Sequence, residues 1–445
     1  MTNRIQPHPQ NPFYWQYKTK PMLLLGGSVE DNLFQIPDVE AHLDVLQTMG
    51  GNYARCTMSS RDAGNVFPFT KGLDGLYDLN QFDEEYWMRF EQFLGATKAR
   101  DIIVQIEIWD RWDTTGPAWQ TNPFNPRLNR NYTTATSCLA EEVGVVPFRE
   151  ANAFFYTIPA LDDNPVVLAF QKAFVEKLLS ISLTFPNVLY CIDNETQALP
   201  QWGWYWADFI HDTAAEHDVA VYVTEMWEPH ALTHPWHQFT LTERGRYQFF
   251  DASQNTHLNG DAHWRALRNL HLELGQSGNP MPINVVKTYG ANTFEFGRHT
   301  DAIERFWRHI FCGLASTRFH RPPTGIGLSD TAQTHIFGAR AFADRFNIFD
   351  SFPRTEWLHN RSPNEAFCLV NEGVEYAVFF PDGGDVRLTL GGIIHDKVHL
   401  TWLNINTTTW SSITEIEVER GSIRLATPAE SGYWLAHIQA DMPAT

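Results

Sequence analysis

The sequence predicts an α/β chain: a (β/α)8 TIM barrel over residues 1–350, followed by a small all-β antiparallel sandwich over residues 351–445. Three observations lead there. Eight short, largely apolar and often β-branched runs alternate with helical patterns through the first three-quarters of the chain, as strands buried on both faces do. The residues after the first run, GGSVED, do not make the GxGxxG fingerprint of a doubly wound open sheet, the alternative architecture. From about Ser351 the texture changes to short alternating strands divided by turn signals such as PDGGD.

In chain order the predicted barrel strands are PMLLLGGS from Pro21, GNYARCTMS from Gly51, DIIVQIEIWD from Asp101 and NVLYCIDNE from Asn187. VAVYVTEMW from Val219, RYQFFDAS from Arg246, INVVKTYG from Ile283 and ASTRFHR from Ala315 complete the eight. The first helix, IPDVEAHLDVLQTMGG, has Pro37 in its first turn, Val39, Leu43 and Leu46 on one face and Gly50 as its stop. PVVLAFQKAFVEKLLSI, WYWADFIHDTAAEHD, DAHWRALRNLHLELG, TDAIERFWRHIFCG and SDTAQTHIFGARAFADRF carry the same signature further on. Residues from about Arg111 to Asp163 exceed what one helix needs and are rich in Trp, Phe, Tyr, Pro and Asn. A long ordered insertion of this kind is predicted to stand over the C-terminal mouth of the barrel. In the last segment Val386, Leu388 and Leu390 alternate with polar residues, which predicts a half-buried sheet.

Composition narrows the function classes. The net charge of −19 argues against nucleic acid as the main partner and against anionic membrane surfaces. No apolar run reaches the roughly 18 residues of a membrane span. MTNRIQPHPQNPFYW lacks the pattern of a secretory signal, which predicts a cytoplasmic protein, or a secreted or periplasmic one whose signal has been removed. The five cysteines are scattered without a CxxC pair, so neither a disulfide framework nor a zinc site is expected. No metal-ligand spacing such as DxDxDG occurs, and no cofactor is expected.

In such a barrel the strand ends converge on the mouth. They carry Glu30 and Asp31, Arg55, Trp109 and Asp110, Asp193, Asn194 and Glu195, Glu225 and Trp227, Asp251 and Asn255, Lys287 and Tyr289, and Arg318 and His320. Paired carboxylates push their pKa values apart, so that one is held protonated while the other stays ionised. This is the apparatus that breaks a glycosidic bond. Trp faces suit sugar rings, and Asn, Asp and His suit hydroxyls. The expected substrate-binding residues are therefore Trp109, Asp110, Trp112, Trp119, Trp227, Asn255, Tyr289 and His320.

GGNYARCTMS and CIDNE resemble the second- and fourth-strand signatures of clan A glycoside hydrolases. In that clan an Asn-Glu pair closes the fourth strand. The resemblance implies Glu195 as acid/base, Asn194 on a sugar hydroxyl and Arg55 as a supporting cation. More narrowly, NPFYWQYKTKPMLLLGGSVEDNLFQ and FCLVNEGVEYAVFFPDGGDVRLTL are similar to the opening of the barrel and to the C-terminal sandwich of the apiosidase-like glycosidases. That sandwich is of the type named for collagen binding.

The chain departs from the clan pattern at the seventh strand, where Lys287 and Thr288 stand in place of the expected nucleophilic Glu. The second carboxylate is then Glu225 by preference, or Glu295 of the loop ANTFEFG, or the chain binds carbohydrate without cleaving it. Burial and a neighbouring carboxylate are expected to raise the Glu195 pKa and make it the general acid. Asp193 is expected to orient a neighbour or touch substrate, Glu107 to be a satisfied interior charge, and Lys287 to pair with Glu195, Glu225 or Asp251. Trp202, Trp204 and Trp206 read as packing residues on a helix.

Overall fold

The computed structural model describes residues 3–144, 153–292, 296–393 and 396–440. Eight parallel strands form the barrel: β1 (Leu24–Gly27), β2 (Tyr53–Thr57), β3 (Ile103–Asp110), β4 (Val188–Asn194), β5 (Val223–Thr224), β6 (Phe250–Asp251), β7 (Ile283–Asn284) and β8 (Ser316–Phe319). Their order is β5-β4-β3-β2-β1-β8, with β6 and β7 paired to each other. Gln248 N to Val223 O (3.0 Å) and Ala315 N to Ile283 O (3.0 Å) bring that pair against its neighbours on either side. The glycines of the first strand serve close approach: a Cβ on Gly26 would lie 2.1 Å from the Tyr53 carbonyl oxygen. β5, β6 and β7 have two residues each and are much shorter than their apolar runs suggest.

Among the described residues the helices of eight residues or more are α1 (Val39–Thr48), α2 (Glu84–Ala99), α3 (Pro165–Ser182), α4 (Pro200–Glu216), α5 (Pro235–Thr242), α6 (Gly260–Gln276), α7 (His299–Phe311) and α8 (Asp330–Ala343). The sequence reading did not name α2 or α5. Asp83 caps α2 by accepting from the Glu85 and Tyr86 amides, a start signal present in the sequence. Asn164 and Ser329 cap α3 and α8 in the same way. None of the described helices is long and apolar enough to cross a membrane.

Inside the barrel the side chains form layers. Trp15, from an N-terminal three-stranded sheet, donates Nε1 to Asn284 Oδ1 (2.9 Å). Asn284 in turn meets Tyr53, and Gln105 links Tyr53 to Asp251. The next layer up is ionic. Arg55 forks onto Glu107 (2.7 and 2.6 Å) and reaches Asp31 at 2.5 Å, with its guanidinium fully buried. Glu107 is thus the satisfied interior charge expected of it, and the mouth opens directly above.

The C-terminal strands are antiparallel: β9 (Phe352–Pro353), β10 (Leu358–His359), β11 (Phe367–Asn371), β12 (Glu375–Phe380), β13 (Asp385–Thr389), β14 (Lys397–Asn404), β15 (Thr409–Trp410), β16 (Thr414–Glu417), β17 (Ser422–Ala426) and β18 (Trp434–Ala440). One sheet runs β9-β11-β12-β18-β14-β15, with β16 on β14, and the other runs β10-β13-β17. Alternation divides the large sheet. Cys368, Val370, Val378 and Phe380 face the small sheet, while Phe367, Leu369, Ala377 and Phe379 join the core of the barrel helices. Phe379 stacks on Trp307 of α7 at 5.4 Å, and Phe367 lies 4.7 Å from Trp264 of α6. Truncating Phe379 to Ala is expected to cost about 3–5 kcal/mol, read as a lower urea midpoint. The shared core further predicts one unfolding transition for barrel and sandwich together.

Candidate active site

A cleft of about 830 Å³ lies at the C-terminal ends of the strands. Arg55, Asn194, Glu195, Lys287, Tyr289 and His320 line it from the barrel, and Trp112, Thr115, Gly116, Pro117, Ala118 and Thr121 of the long insertion form one wall.

Glu195 follows β4 with φ 64°, in the left-handed region that a residue with a long side chain rarely adopts. This turn aims its carboxylate across the mouth. Oε1 accepts from Lys287 Nζ at 2.6 Å and from the Tyr289 hydroxyl at 3.4 Å. Oε2 accepts from Arg111 Nη2 at 2.8 Å and from Trp112 Nε1 at 2.9 Å. Burial alone would raise the pKa of this group. The charges of Lys287 and Arg111, with the donated hydrogen bonds, outweigh it and hold the carboxyl well below its usual range. The sequence expectation of a raised pKa is therefore reversed, because two cations rather than a carboxylate are its nearest partners.

Of the other carboxylates bordering the cleft, Asp31, Asp62 and Glu228, the one that shares a cation with Glu195 is Glu228, just beyond β5. Its Oε2 lies 2.7 Å from Arg111 Nη1, so one guanidinium holds both glutamates. The fork of a guanidinium limits the separation of the two bound oxygens to about 8 Å. Burial first, and the Glu195 charge second, push Glu228 up to about 7. Its folded pKa thus exceeds the unfolded value, so its contribution to stability is complete at low pH and is lost as pH rises through 7. Glu228→Gln cannot ionise. Its Tm relative to the wild type is expected to rise between pH 5 and pH 8, by an amount on the order of 2 kcal/mol in stability.

Glu225, the preferred second carboxylate from sequence, is not in the cleft. It is fully buried between β5 and α4 with Thr196 and Tyr247 as hydrogen-bond partners. A Cβ on Gly203 of α4 would lie 2.2 Å from its Oε2, so the carboxyl sits against the helix backbone. Asp193 joins it there, accepting from Trp202 Nε1 at 3.1 Å and from the Thr196 hydroxyl at 3.2 Å. Burial raises both, Asp193 to about 7, and the Asp193 charge adds to the rise at Glu225. Asp193 is an internal partner rather than a cleft residue. Glu295, the alternative acid, lies outside the described residues.

The aromatic expectations divide. Trp112 lines the cleft, its ring 4.8 Å from the Arg111 guanidinium, and Tyr289 has a tilted ring contact with Phe296 (4.5 Å) and an edge-on one with His320 (4.7 Å). Trp109, Trp119 and Trp227 do not line it. Trp109 is enclosed by Phe154, Phe174, Trp202 and Trp206; Trp119 donates to the Ala140 carbonyl; Trp227 packs on Trp236 and Phe239 and donates to Thr240. Asn255 is also buried, its amide on the His263 carbonyl, and the preceding Gln254 reaches the cleft instead. Asp110 lies beneath the surface, held by Arg61 and accepting from Asn194 Nδ2 at 3.0 Å. Asn194 Oδ1 is buried without a partner. His320 stands 3.6 Å from Asp31 and is kept neutral by burial.

Sequence reasoning missed Arg111, Glu228 and the stacked pair His230 and His257, whose rings lie 3.6 Å apart in the cleft. Arg111 directly follows β3, and that position was the available signal for it. No group of three or more potential metal ligands clusters among the described residues.

No protein-family model matches the chain, and no curated protein sequence matches it. Solved structures do. One described as a glycoside hydrolase aligns with TM-score 0.65 at 11% identity, covering 99% of this chain and 97% of that chain. A glycoside hydrolase family 5 structure from Bacteroides vulgatus aligns with TM-score 0.65 at 11% identity, over 98% of this chain and 94% of the other. A family 5 mannosidase from Rhizomucor miehei aligns with TM-score 0.51 at 13% identity, over 78% of this chain and 98% of the other. At these identities the likeness establishes a shared fold.

Proposed function

We propose that the protein is a glycoside hydrolase that cleaves an O-glycosidic bond with the carboxylates Glu195 and Glu228. The observation that carries this reading is the pair itself: two glutamates on one guanidinium, in a wide cleft at the mouth of the barrel, with opposite pKa displacements. The fold of the structural neighbours supports it. Asn194, which lines the cleft and has a side-chain oxygen without a hydrogen-bond partner, is the hydroxyl ligand, and Trp112 and Tyr289 are the ring-stacking surfaces. The wall from Trp112 to Thr121 closes one side of the cleft and favours exo action on a plant or microbial oligo- or polysaccharide. The apiosidase-like subtype, and the division near residue 350 into a catalytic barrel and a packing sandwich, belong to the same reading.

The test is turnover. Neutral aryl glycosides, beginning with mannosides because one neighbour is described as a mannosidase, are incubated with wild type and with Glu195→Gln. Release by wild type that is lost in the variant supports the proposal, and equal release by both sinks it. A second reading, a carbohydrate-binding protein on a degenerate barrel, is favoured by one observation. Lys287 stands where clan A enzymes carry the nucleophile, and it is ion-paired to Glu195. Calorimetric binding of an oligosaccharide that the protein never cleaves would select it.

A further inference from the structure

We infer that Lys287 and Arg111 reverse the roles expected of the strand-end glutamate: Glu228 gives its proton to the leaving oxygen, Glu195 supplies the negative charge at the anomeric carbon, and Lys287 is the positioning residue that keeps this order. The inference rests on the glycosidase reading above and deepens it.

The geometry is asymmetric. Both oxygens of Glu195 are occupied by cationic donors, Lys287 on Oε1 at 2.6 Å and Arg111 on Oε2 at 2.8 Å, with Trp112 adding an N–H. A proton on either oxygen would displace one of those bonds and leave a buried cation uncompensated. Among the described residues, Glu228 has one salt-bridge partner, the same Arg111, which it shares with Glu195. It borders the cleft and carries the higher affinity for a proton. The charged and titratable groups bordering the pair are Arg111, Lys287, Tyr289, His257 and His230, which stacks on His257. Burial keeps His257 neutral above about 3, so it does not compete as the acid. Asp193 and Glu225 are sealed behind β4 and cannot reach a substrate.

The Glu228 proton passes to the glycosidic oxygen as the bond from that oxygen to the anomeric carbon breaks, and the bonding pair leaves with the oxygen. A Glu195 electron pair forms the new bond to carbon directly, or Glu195 takes a proton from the water that forms it. In the direct case water then displaces Glu195 and its proton returns to Glu228.

Two leaving groups test the assignment. A 2,4-dinitrophenyl glycoside departs without protonation, whereas an alkyl glycoside requires it. Glu228→Gln is expected to lose about 10²–10⁴-fold in kcat/KM on the alkyl glycoside and less than about tenfold on the dinitrophenyl one. Glu195→Gln is expected to lose heavily on both. A Glu195→Gln enzyme that keeps the dinitrophenyl reaction overturns the proposal. Lys287→Met is expected to move the acid limb of the kcat/KM profile upward by a unit or more, and Lys287→Arg to leave it near the wild-type position. An unmoved limb in Lys287→Met overturns the positioning role. Carbon-13 NMR of labelled glutamate carboxyls reads the same order without substrate. A titration near pH 7 that disappears in Glu228→Gln supports it, and one that disappears in Glu195→Gln refutes it. If wild type cleaves no glycoside, the function reading fails while the NMR titration still decides which glutamate holds the proton.

Discussion

Glu195→Gln is expected to lower kcat/KM on a cleaved glycoside by about 10⁴-fold or more, the scale seen when a group that bonds to the reacting centre is removed. The same change has a structural cost. Glu195 is the anion that compensates Lys287, whose side chain is 1% exposed, and part of what compensates Arg111. Removing one partner of such a buried pair costs about 3–5 kcal/mol, because the other charge stays buried alone. The kinetic loss must therefore be measured beside a calorimetric Tm, at a temperature where the variant is folded. Activity within tenfold of wild type in a folded variant would remove Glu195 from the chemistry.

Arg55→Met is expected to be among the most destabilising single substitutions in the barrel. Arg55 is the one cation bound to both Asp31 and Glu107; Arg55 and Asp31 form part of the cleft lining and Glu107 lies beneath it. Methionine fills the volume but strands Glu107, whose salt bridge is to Arg55, while Asp31 keeps Arg321 at 3.1 Å. Glu107 is then favoured to take up a proton. A loss of about 3–5 kcal/mol is expected in urea unfolding at pH 7. The loss is expected to shrink as pH falls, because protonation of the stranded Glu107 relieves it. A second substitution, Glu107→Gln, made in the Arg55→Met background should recover part of the stability. A neutral single variant would mean that this ion layer does not hold the floor of the cleft.

Much of the site was legible residue by residue. The apolar run Val188–Ile192 ending on Asp193, Asn194 and Glu195 marks a strand end at the mouth. A lysine inside that mouth requires an anion, and Lys287 has one in Glu195. Glu107, inside a strand, requires a cation, and Arg55 meets it. These inferences succeed because an unpaired buried charge is too costly to persist, a constraint that does not depend on the details of the fold.

The failures share a different cause. Glu225 and Glu228 are three positions apart, and both sit where the fifth strand gives way to its loop. β5 ends at Thr224, so the strand period no longer governs which way the next side chains point. One carboxyl turns back against Gly203 and the other into the cleft. The tryptophans fail similarly. Trp109, Trp119 and Trp227 stand at or beyond strand ends like Trp112, but the insertion and α4 and α5 close over them. Arg111 opens the insertion and reads as loop until its two carboxylate partners are in place.

The sequence by itself determined the alternation of strands and helices, the sandwich that follows, and the strand ends on which charged residues would gather, because periodicity and the cost of burying charge act locally. Only the tertiary structure decided which carboxylate carries a proton. Arg111 and Lys287 come to Glu195 from 84 and 92 positions away along the chain, and the affinity of a buried acid for its proton is set by charges a few ångströms distant in space.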